Sequence, residues 1–365
     1  MLIAFRTDAS IDIGTGHVMR CLTLAQAMRA DGATCHFMTR ALPGHLADRI
    51  DGQGFAVTRL PAPEGEAADG PPAHASWAGV SWQQDAQETR AALGESRAPD
   101  WLVLDHYAFD ARWQSAVRTQ GTRLLVIDDL ADRPHDCDLL LDQNLGRSAG
   151  DYDGLVPDRC IRLIGPQYAL LRPEFAEART GAIARRAGRG LRHLLITMGG
   201  IDRADATSAV LRALRAASLP EDLRITVVMG AHAPALERVR ALAQDMPRPA
   251  EVVVDVSDMA ARMAAADLAI GAAGATTWER CALGLPAILV RIADNQTSIA
   301  QAMVKAGAAL DPGPCDATDF APRLRAALSE AEAGLPEMAK NAAAICDGLG
   351  ASRTHAEMTD SQGAK

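Results

Sequence analysis

The sequence has few of the features that mark secreted, membrane or nucleic-acid-binding proteins. Its seven cysteines are odd in number and include no Cys-x-x-Cys pair, which argues against a disulfide framework or a zinc site. No run of about 18 uncharged apolar residues is present, so we expect no membrane span. No signal-peptide pattern precedes the first apolar segment, and the expected location is the cytoplasm. The formal net charge of −9 makes nucleic acid an unexpected partner, because a phosphate backbone attracts a basic surface.

The chain contains two successive series of alternating strand-like and helix-like segments. With 365 residues, 48% of them hydrophobic, it is long enough for two globular domains. The alternation predicts right-handed βαβ units and parallel sheets covered by helices. The predicted fold class is therefore α/β of the GT-B type, with two facing Rossmann-like doubly wound domains and a cleft between them. The predicted bounds are 1–172 for the N-terminal domain, 173–190 for a linker, 191–335 for the C-terminal domain and 336–365 for a C-terminal helix and tail.

The first strand, Leu2-Ile3-Ala4-Phe5, leads through a glycine-containing turn into a helix predicted from about residue 17 to 30. Such a strand–turn–helix junction directs free backbone N–H groups and the positive end of a helix dipole towards one place. Gly14 and Gly16 lie in the turn, and His17 follows them. Histidine is the side chain best suited to moving a proton near neutral pH. His17 is the candidate catalytic residue, and the alternative is a histidine that only caps its own loop.

Two further regions of the first half contain candidate site residues. Trp77 and Trp82 follow a loop rich in proline and glycine (residues 61–72), and they are interpreted either as a lid or sugar platform or as anchors of a helix to the core. Polar residues also follow two strands, as Asp105-His106-Tyr107 and in an acidic cluster. The cluster comprises Asp128, Asp129, Asp132, His135, Asp136 and Asp138. Its carboxylates would suit a divalent cation, but caps and turns are more common and the spacing matches no known metal loop, so no metal is predicted.

The second half contains two glycine turns before predicted helices, at Gly199-Gly200 and over residues 271–277. Missing Cβ atoms let a diphosphate approach the backbone, and the hydroxyls of Thr276 and Thr277 are possible donors to it. Glu279 lies in the first turn of the following helix, where a carboxylate can accept both ribose hydroxyls or simply complement the helix dipole. Neither turn is a G-x-G-x-x-G or Walker sequence, which disfavours redox and P-loop functions.

Several longer segments share a family resemblance. In chain order they are residues 6–10, 13–22, 105–107, 128–133, 137–144, 165–175, 198–200, 271–274, 278–281 and 295–296. Together they resemble the UDP-sugar hydrolases of pseudaminic acid biosynthesis, relatives of the GT-B glycosyltransferase that adds N-acetylglucosamine to a peptidoglycan precursor. The resemblance covers about residues 4 to 305 and includes neither the 61–72 loop nor the tail.

The resemblance implies hydrolysis of UDP-2,4-diacetamido-2,4,6-trideoxy-β-L-altropyranose to UDP and the free sugar, by inverting attack of water and without a metal or cofactor. The resemblance also implies a place in a pathway that supplies sugars for flagellin glycosylation. His17 would be the base that activates water. The sugar would be bound by Gly14, Gly16, Tyr107, Asn295 and Gln296. The nucleotide would be bound by Gly199, Gly200, Gly274, Thr276, Thr277 and Glu279. The expected partner is the small UDP-sugar alone, and the expected state is a monomer.

Three other functions stay open from the sequence. A UDP-sugar glycosyltransferase would share the fold, although no apolar or basic patch for a membrane-bound acceptor is visible in the first half. A hydrolysing epimerase must remove a proton from C2, and the acidic cluster around Asp128 would serve that reaction. A non-catalytic UDP-sugar sensor would bind the ligand unchanged. The fold alone does not distinguish among them.

Overall fold

The computed structural model describes residues 1–64, 70–94, 98–293 and 296–360. The chain forms two compact units: unit 1 comprises Met1–Leu171 and Leu349–Lys365, and unit 2 comprises Arg172–Gly348. The prediction of two parallel-sheet α/β domains is confirmed, whereas the predicted cleft stays a prediction. In the described residues, no helix is both long enough and apolar enough to cross a bilayer. None of the seven cysteines, all within the described residues, forms a disulfide.

Unit 1 is built on a parallel sheet of seven strands in the order β3-β2-β1-β4-β5-β6-β7. The strands are β1 (Leu2–Thr7), β2 (Thr34–Arg40), β3 (Ala56–Leu60), β4 (Trp101–Asp105), β5 (Arg123–Ile127), β6 (Leu139–Asp142) and β7 (Ile161–Ile164). The α-helices are α1 (Gly16–Ala30), α2 (Ala47–Gly52), α3 (Trp82–Leu93), α4 (Ala111–Val117) and α12 (Gly350–Asp360). Short 3-10 helices occupy Ala75–Ala78, Ala149–Tyr152 and Pro166–Tyr168. Strand order reverses between β1 and β4, where Thr7 pairs with Asp105, and open α/β sheets bind ligands at such a point.

Unit 2 has a parallel sheet of six strands in the order β10-β9-β8-β11-β12-β13. The strands are β8 (His193–Thr197), β9 (Arg224–Met229), β10 (Ala250–Val254), β11 (Leu268–Ala272), β12 (Ala287–Val290) and β13 (Ala309–Leu310). The helices are α5 (Pro173–Arg186), α6 (Ala206–Arg215), α7 (Leu236–Gln244), α8 (Met259–Ala265), α9 (Thr276–Ala282), α10 (Thr297–Lys305) and α11 (Phe320–Ile345). The reversal lies between β8 and β11, so the carboxyl ends of these two strands carry the second candidate site.

The central strands of both units are apolar on both faces because helices cover the sheet on both sides. In unit 1, Ile3, Phe5 and Val103 face one buried cluster, while Ala4 and Leu102 face another. The Phe5 ring stacks on a ring of the neighbouring strand, Phe37, at a centroid distance of 4.6 Å. A continuous apolar run is thus the pattern of a strand buried on both faces, and it fixes the sheet centre where the site is built.

Helix α2 begins only at Ala47, because Pro43 and Gly44, whose φ is 84°, turn the chain first. One predicted boundary differs from the structure. A break was predicted before Pro336, but α11 runs through this proline without interruption. Proline removes one N–H bond to the residue four positions earlier, and here that residue, Glu332, is exposed, so its carbonyl can be hydrated.

The segment that returns to unit 1 is α12, rather than the predicted helix starting at 336. Met358 and Ala351 are buried in the same apolar cluster as Leu22 of α1. Gly350 is required by close packing, since a Cβ there would lie 2.3 Å from the carbonyl oxygen of Ala169. Helix α12 therefore completes the core beneath the helix that begins beside His17.

Candidate functional site

The start of α1 is shaped by a short local turn. Ser10 Oγ accepts hydrogen bonds from the backbone N–H of Asp12 at 3.1 Å and of Ile13 at 3.0 Å. Gly14 then adopts a φ of 79°, which favours glycine over residues with a Cβ. In the described residues, no side chain caps the helix and no acidic residue lies in its first turn. The first N–H groups of α1 are therefore available to a ligand.

His17 is held by the carboxylate at the end of β4. Its Nδ1 lies 2.5 Å from Asp105 Oδ1, and the histidine is only 8% exposed. A carboxylate that accepts from Nδ1–H fixes the tautomer in which Nε2 carries the lone pair. This is the arrangement of a histidine that acts as a general base through Nε2.

Arg20, one helical turn after His17, fixes the charge of Asp105. Its Nε and Nη2 donate to the two Asp105 oxygens at 2.5 and 2.7 Å, and its Nη1 donates to Asp129 Oδ2 at 2.5 Å. Burial opposes ionisation of Asp105, but the guanidinium and His17 outweigh it and hold its pKa well below the usual range. Asp105 is therefore an ionised acceptor throughout the neutral pH range.

Tyr107 joins this cluster through Asp129. Its hydroxyl donates to Asp129 Oδ2 at 2.5 Å, and its ring meets the His17 ring edge-on at a centroid distance of 4.6 Å. Burial, followed by the charge of Asp129, raises the pKa of the phenol well above its ordinary value. Tyr107 consequently remains a neutral donor beside His17. The structure brings together these two predicted residues, which are 90 positions apart in sequence.

Sequence reasoning missed three residues of this cluster. Asp105 was noted only as polar at a strand end, Arg20 only as part of a motif, and Asp129 only as a member of an acidic cluster. The available signal was the spacing of three between His17 and Arg20, which places both on one face of α1. A carboxylate at the end of the strand beside β1 would have completed the inference.

Two more aromatic rings lie beside Tyr107. The Trp77 ring stacks on Tyr107 at 5.7 Å between centroids with an interplanar angle of 27°. The His74 ring lies 4.6 Å from Trp77 and 5.6 Å from Tyr107. Trp77 and His74 are partly exposed. Trp82 does not join these rings and instead lies against the Arg112 guanidinium, 5.5 Å from its ring centroid.

A buried ionic network joins the end of β1 to the neighbouring elements of unit 1. Arg6 donates to Asp8 at 2.6 Å and to Asp85 at 2.6 Å. Arg40 donates to the same Asp85 at 2.6 Å, and Trp113 Nε1 donates to it at 2.9 Å. Every charge in the network has an opposite partner, which is the condition for burying such groups. The network fixes the chain immediately after β1, where the turn towards His17 begins.

Two members of the acidic cluster differ in their surroundings: Asp128 is buried and paired within unit 1, whereas Asp129 contacts the His17 site. Asp128 contacts Arg133 Nη1 at 2.9 Å and accepts from the Tyr152 hydroxyl at 3.0 Å. Burial lowers the pKa of His135 to about 4, so this side chain is neutral. In the part of the chain that the structure describes, no group of three or more His, Cys, Asp or Glu is arranged to hold a metal ion. Only Asp129 of the cluster contacts the His17 site.

In unit 2, the first glycine turn is tightly packed. Gly199 has a φ of 94°, and a Cβ on Gly230 would lie 2.3 Å from the carbonyl oxygen of Gly200. The following helix, α6, is capped from within, because Asp202 accepts from the amides of Ala206 at 3.0 Å and Thr207 at 2.9 Å. These two N–H groups are therefore occupied, and any phosphate at this turn must use the glycine backbone instead.

The second glycine turn separates its two threonines. Thr277 is fully buried, and its hydroxyl oxygen accepts a hydrogen bond from Arg280 at 3.0 Å. It therefore stabilises the turn, in contrast to the prediction that its hydroxyl faces a ligand. Thr276 and Gly274 are partly exposed, as Glu279 is. Burial raises the pKa of Glu279 to about 7. Among the described residues, no hydrogen-bond partner of the Glu279 carboxylate is found, which leaves it available to accept from a ligand.

Of the two remaining predicted residues, only Gln296 lies within the described part of the chain, immediately before α10. Gln296 is in unit 2, and its Oε1 accepts from the backbone N–H of Ile292 at 3.1 Å. Asn295 lies outside the described residues.

Comparison with known proteins identifies the fold. Residues 193–346 match the glycosyltransferase family 28 C-terminal domain. The crystal structure of Acinetobacter baumannii MurG superposes with a TM-score of 0.72 at 17% identity, covering 98% of this chain and 99% of that one. This likeness confirms the predicted GT-B fold.

Two curated proteins are similar in sequence. UDP-2,4-diacetamido-2,4,6-trideoxy-beta-L-altropyranose hydrolase from Campylobacter jejuni is 27% identical over 67% of this chain and 75% of its own length. Spore coat polysaccharide biosynthesis protein SpsG from Bacillus subtilis is 32% identical over 41% of this chain and 43% of its own length. The likenesses thus relate this GT-B chain to proteins of sugar-nucleotide and polysaccharide metabolism.

Proposed function

We propose that this protein hydrolyses UDP-2,4-diacetamido-2,4,6-trideoxy-β-L-altropyranose to UDP and 2,4-diacetamido-2,4,6-trideoxy-L-altrose, a step in pseudaminic acid biosynthesis. The observation that carries the proposal is the 2.5 Å contact between His17 Nδ1 and Asp105 in a chain similar to a hydrolase of that substrate. A GT-B glycosyltransferase needs an acceptor alcohol, whereas a hydrolase needs only a base that can activate water.

The proposed chemistry is a single displacement. The water oxygen attacks the anomeric carbon from the face opposite UDP, its proton passes to His17 Nε2, and the bond from the anomeric carbon to the phosphate oxygen breaks. The product sugar is therefore inverted at that carbon. Asp105 stabilises the imidazolium as it forms, and Arg20 keeps Asp105 ionised. General-base assistance of this kind contributes roughly 10²- to 10⁴-fold.

The sugar is proposed to contact unit 1 chiefly. Tyr107 stays protonated and lies against His17, so its ring and hydroxyl are suited to contact a sugar. The turn at Gly14 and Gly16 provides backbone N–H groups without side chains. Asn295 and Gln296 remain proposed sugar contacts.

The nucleotide is proposed to bind unit 2. The Glu279 carboxylate has no hydrogen-bond partner among the described residues. It can therefore accept hydrogen bonds from the two hydroxyls of a ribose. Gly199, Gly200 and Gly274 offer backbone approach to the diphosphate, and the Thr276 hydroxyl offers a donor.

We further propose that the departing UDP is stabilised by the protein alone. Asp105 and Asp129, two carboxylates of the His17 cluster, are both already paired with Arg20. Neither is therefore free to hold a divalent cation, and the departing diphosphate would rely on the backbone N–H groups and the Thr276 hydroxyl of unit 2. Activity that persists after dialysis against EDTA supports this, and activity restored only by added Mg²⁺ or Mn²⁺ contradicts it.

A UDP-sugar glycosyltransferase is the second candidate. The match of residues 193–346 to a glycosyltransferase C-terminal domain favours it. That match lies entirely within unit 2, where the nucleotide is expected, and so it does not distinguish between water and an alcohol as acceptor.

The test is incubation of the protein with the UDP-linked diacetamido-altrose, followed by NMR of the anomeric proton. Release of UDP and inverted free sugar without an acceptor, lost in His17→Ala, supports hydrolysis. Turnover only when an acceptor alcohol is added supports the transferase. Binding without turnover, with or without acceptor, indicates a sensor and contradicts both the hydrolase and the glycosyltransferase proposals.

A further inference from the structure

We propose that His74, Trp77 and Tyr107 form an aromatic wall that binds the apolar edge of the sugar and selects a 6-deoxy sugar over its 6-hydroxyl counterpart. The inference rests on the proposed function, because it concerns the sugar that His17 would process. Trp77 and His74 lie outside every segment that carries the family resemblance.

The wall has a consistent geometry beside the proposed base. The Trp77 and Tyr107 planes differ by only 27°, and His74 is tilted by 38° and 41° from them. His17 stands edge-on to both larger rings, at 84° to Tyr107 and 79° to Trp77. Its centroid lies 4.6 Å from Tyr107 and 6.4 Å from Trp77. A sugar presented to His17 therefore meets ring surface from two chain segments that are distant in sequence.

The segment that carries Trp77 is firmly anchored on both sides. Before it, Arg112 donates to the carbonyl oxygen of Pro71 at 2.8 Å. After it, Ala78 and Val80 are buried at 1% and 6% exposure. Gly79 has a φ of 70°, and a Cβ there would lie 2.4 Å from the Pro63 ring. Such anchoring holds a ring in place before a ligand arrives, which reduces the entropy lost on binding.

A purely structural role does not account for the position of Trp77. Both Trp77 and Trp82 are partly buried and pack against the same apolar cluster. Anchoring that core does not require either ring to contact Tyr107 or His17, and Trp82 contacts neither in the described structure. Trp77 contacts both and stays partly exposed. Trp82 is thus a matched control from the same core.

The chemistry of the wall explains a preference for a methyl group. A C6 methyl loses water favourably when it packs on aromatic carbon. A C6 hydroxyl at the same place gives up hydrogen bonds to water and finds no replacement on a ring face. An apolar surface of this kind discriminates against an added hydroxyl by no more than about 100-fold.

The test compares kcat/KM for the UDP-linked diacetamido-trideoxy-altrose with kcat/KM for the same sugar nucleotide synthesised with a hydroxyl at C6. Trp77→Ala is expected to lower the first value roughly 10- to 100-fold and to leave the second and the Kd for UDP unchanged. Trp77→Phe should recover most of the preference, and Trp82→Ala should retain all of it. An equal loss for both sugars, or no loss for either, overturns the proposal.

Fluorescence separates this inference from the proposed function. Addition of the diacetamido sugar nucleotide should change the tryptophan emission of the native protein more than UDP does, and Trp77→Phe should abolish that excess. If the native protein binds but hydrolyses nothing, the proposed function fails while a sugar-dependent Trp77 signal still supports the wall. If Trp77→Phe leaves the excess unchanged, the wall is wrong whatever the activity. Circular dichroism confirms that each variant is folded.

Discussion

Asp105→Asn is expected to remove most of the activity while leaving the shape of the side chain intact. The carboxylate accepts three charge-assisted hydrogen bonds, one from His17 and two from Arg20, at 2.5 to 2.7 Å. An amide offers one acceptor oxygen and one N–H₂ donor, and Arg20 has only donors. In either amide orientation, the N–H₂ group faces an Arg20 N–H group.

The size of the fall in kcat depends on which Asp105 oxygen the amide nitrogen replaces. If the amide nitrogen takes the Oδ1 position, it donates to His17 Nδ1, moves the proton to Nε2 and removes the base. If it takes the Oδ2 position, the tautomer survives without a negative charge to stabilise the imidazolium. We expect kcat to fall about 10²- to 10⁴-fold, with the larger loss for the altered tautomer.

The same change lowers stability. Breaking a buried pair costs about 3–5 kcal/mol, and the lower figure applies here since Arg20 keeps Asp129. For a unit of this size, about 3 kcal/mol lowers Tm by roughly 6–12 °C. Scanning calorimetry checks this value and sets an assay temperature at which the variant is folded.

The assay is UDP release at saturating substrate, with Asp129→Asn as the control. That variant removes the other partner of Arg20 and the acceptor of Tyr107 but leaves the His17–Asp105 contact in place. We expect it to raise KM more than it lowers kcat. A folded Asp105→Asn protein with kcat within about tenfold of the native value would refute the assignment of His17 as a base oriented by Asp105.

Three other substitutions test the remaining parts of the structure. Burial raises the pKa of Glu279 to about 7, so the folded state keeps a proton that the unfolded chain releases near 4.5. Native stability therefore falls as pH rises through this window. Glu279→Gln avoids that fall, and its Tm advantage should grow between about pH 5 and pH 8, while UDP affinity should decrease. Asp202→Ala removes two caps of α6 and should cost about 1–2 kcal/mol in urea unfolding. Asp85→Asn removes one acidic partner each from Arg6, which keeps Asp8, and from Arg40, which keeps Glu88, and should cost about 3 kcal/mol, with normal activity in the folded fraction.

Fold class was predictable because the apolar runs are unambiguous. The first strand, predicted from Leu2, and the helix predicted from about residue 17 to 30 lie within two residues of β1 (Leu2–Thr7) and α1 (Gly16–Ala30). The two-residue strand β13 was missed, since so short a segment carries no period. The uninterrupted α11 was missed because a proline usually ends a helix, and the solvent exposure of Glu332, which lets its carbonyl be hydrated, cannot be read from the sequence.

The candidate site was predictable at its strand ends and less so at its side-chain pairs. His17 and Tyr107 were selected from glycine context, strand ends and family resemblance, and the structure brings them into contact. The roles of Asp105 and Arg20 depend on distances across two elements, which one sequence does not contain. Thr277 was misassigned since a threonine in a glycine turn has the same sequence signature whether its hydroxyl faces a ligand or the core.

The return of α12 to unit 1 has a consequence for biosynthesis. The core beneath α1 is completed by Met358, which leaves the ribosome after every residue of unit 2 has been made. Unit 2 is continuous in sequence and can fold during synthesis, whereas unit 1 must wait with a core surface uncovered. The helix that carries His17 and Arg20 thus gains its full apolar support only after synthesis has passed residue 358.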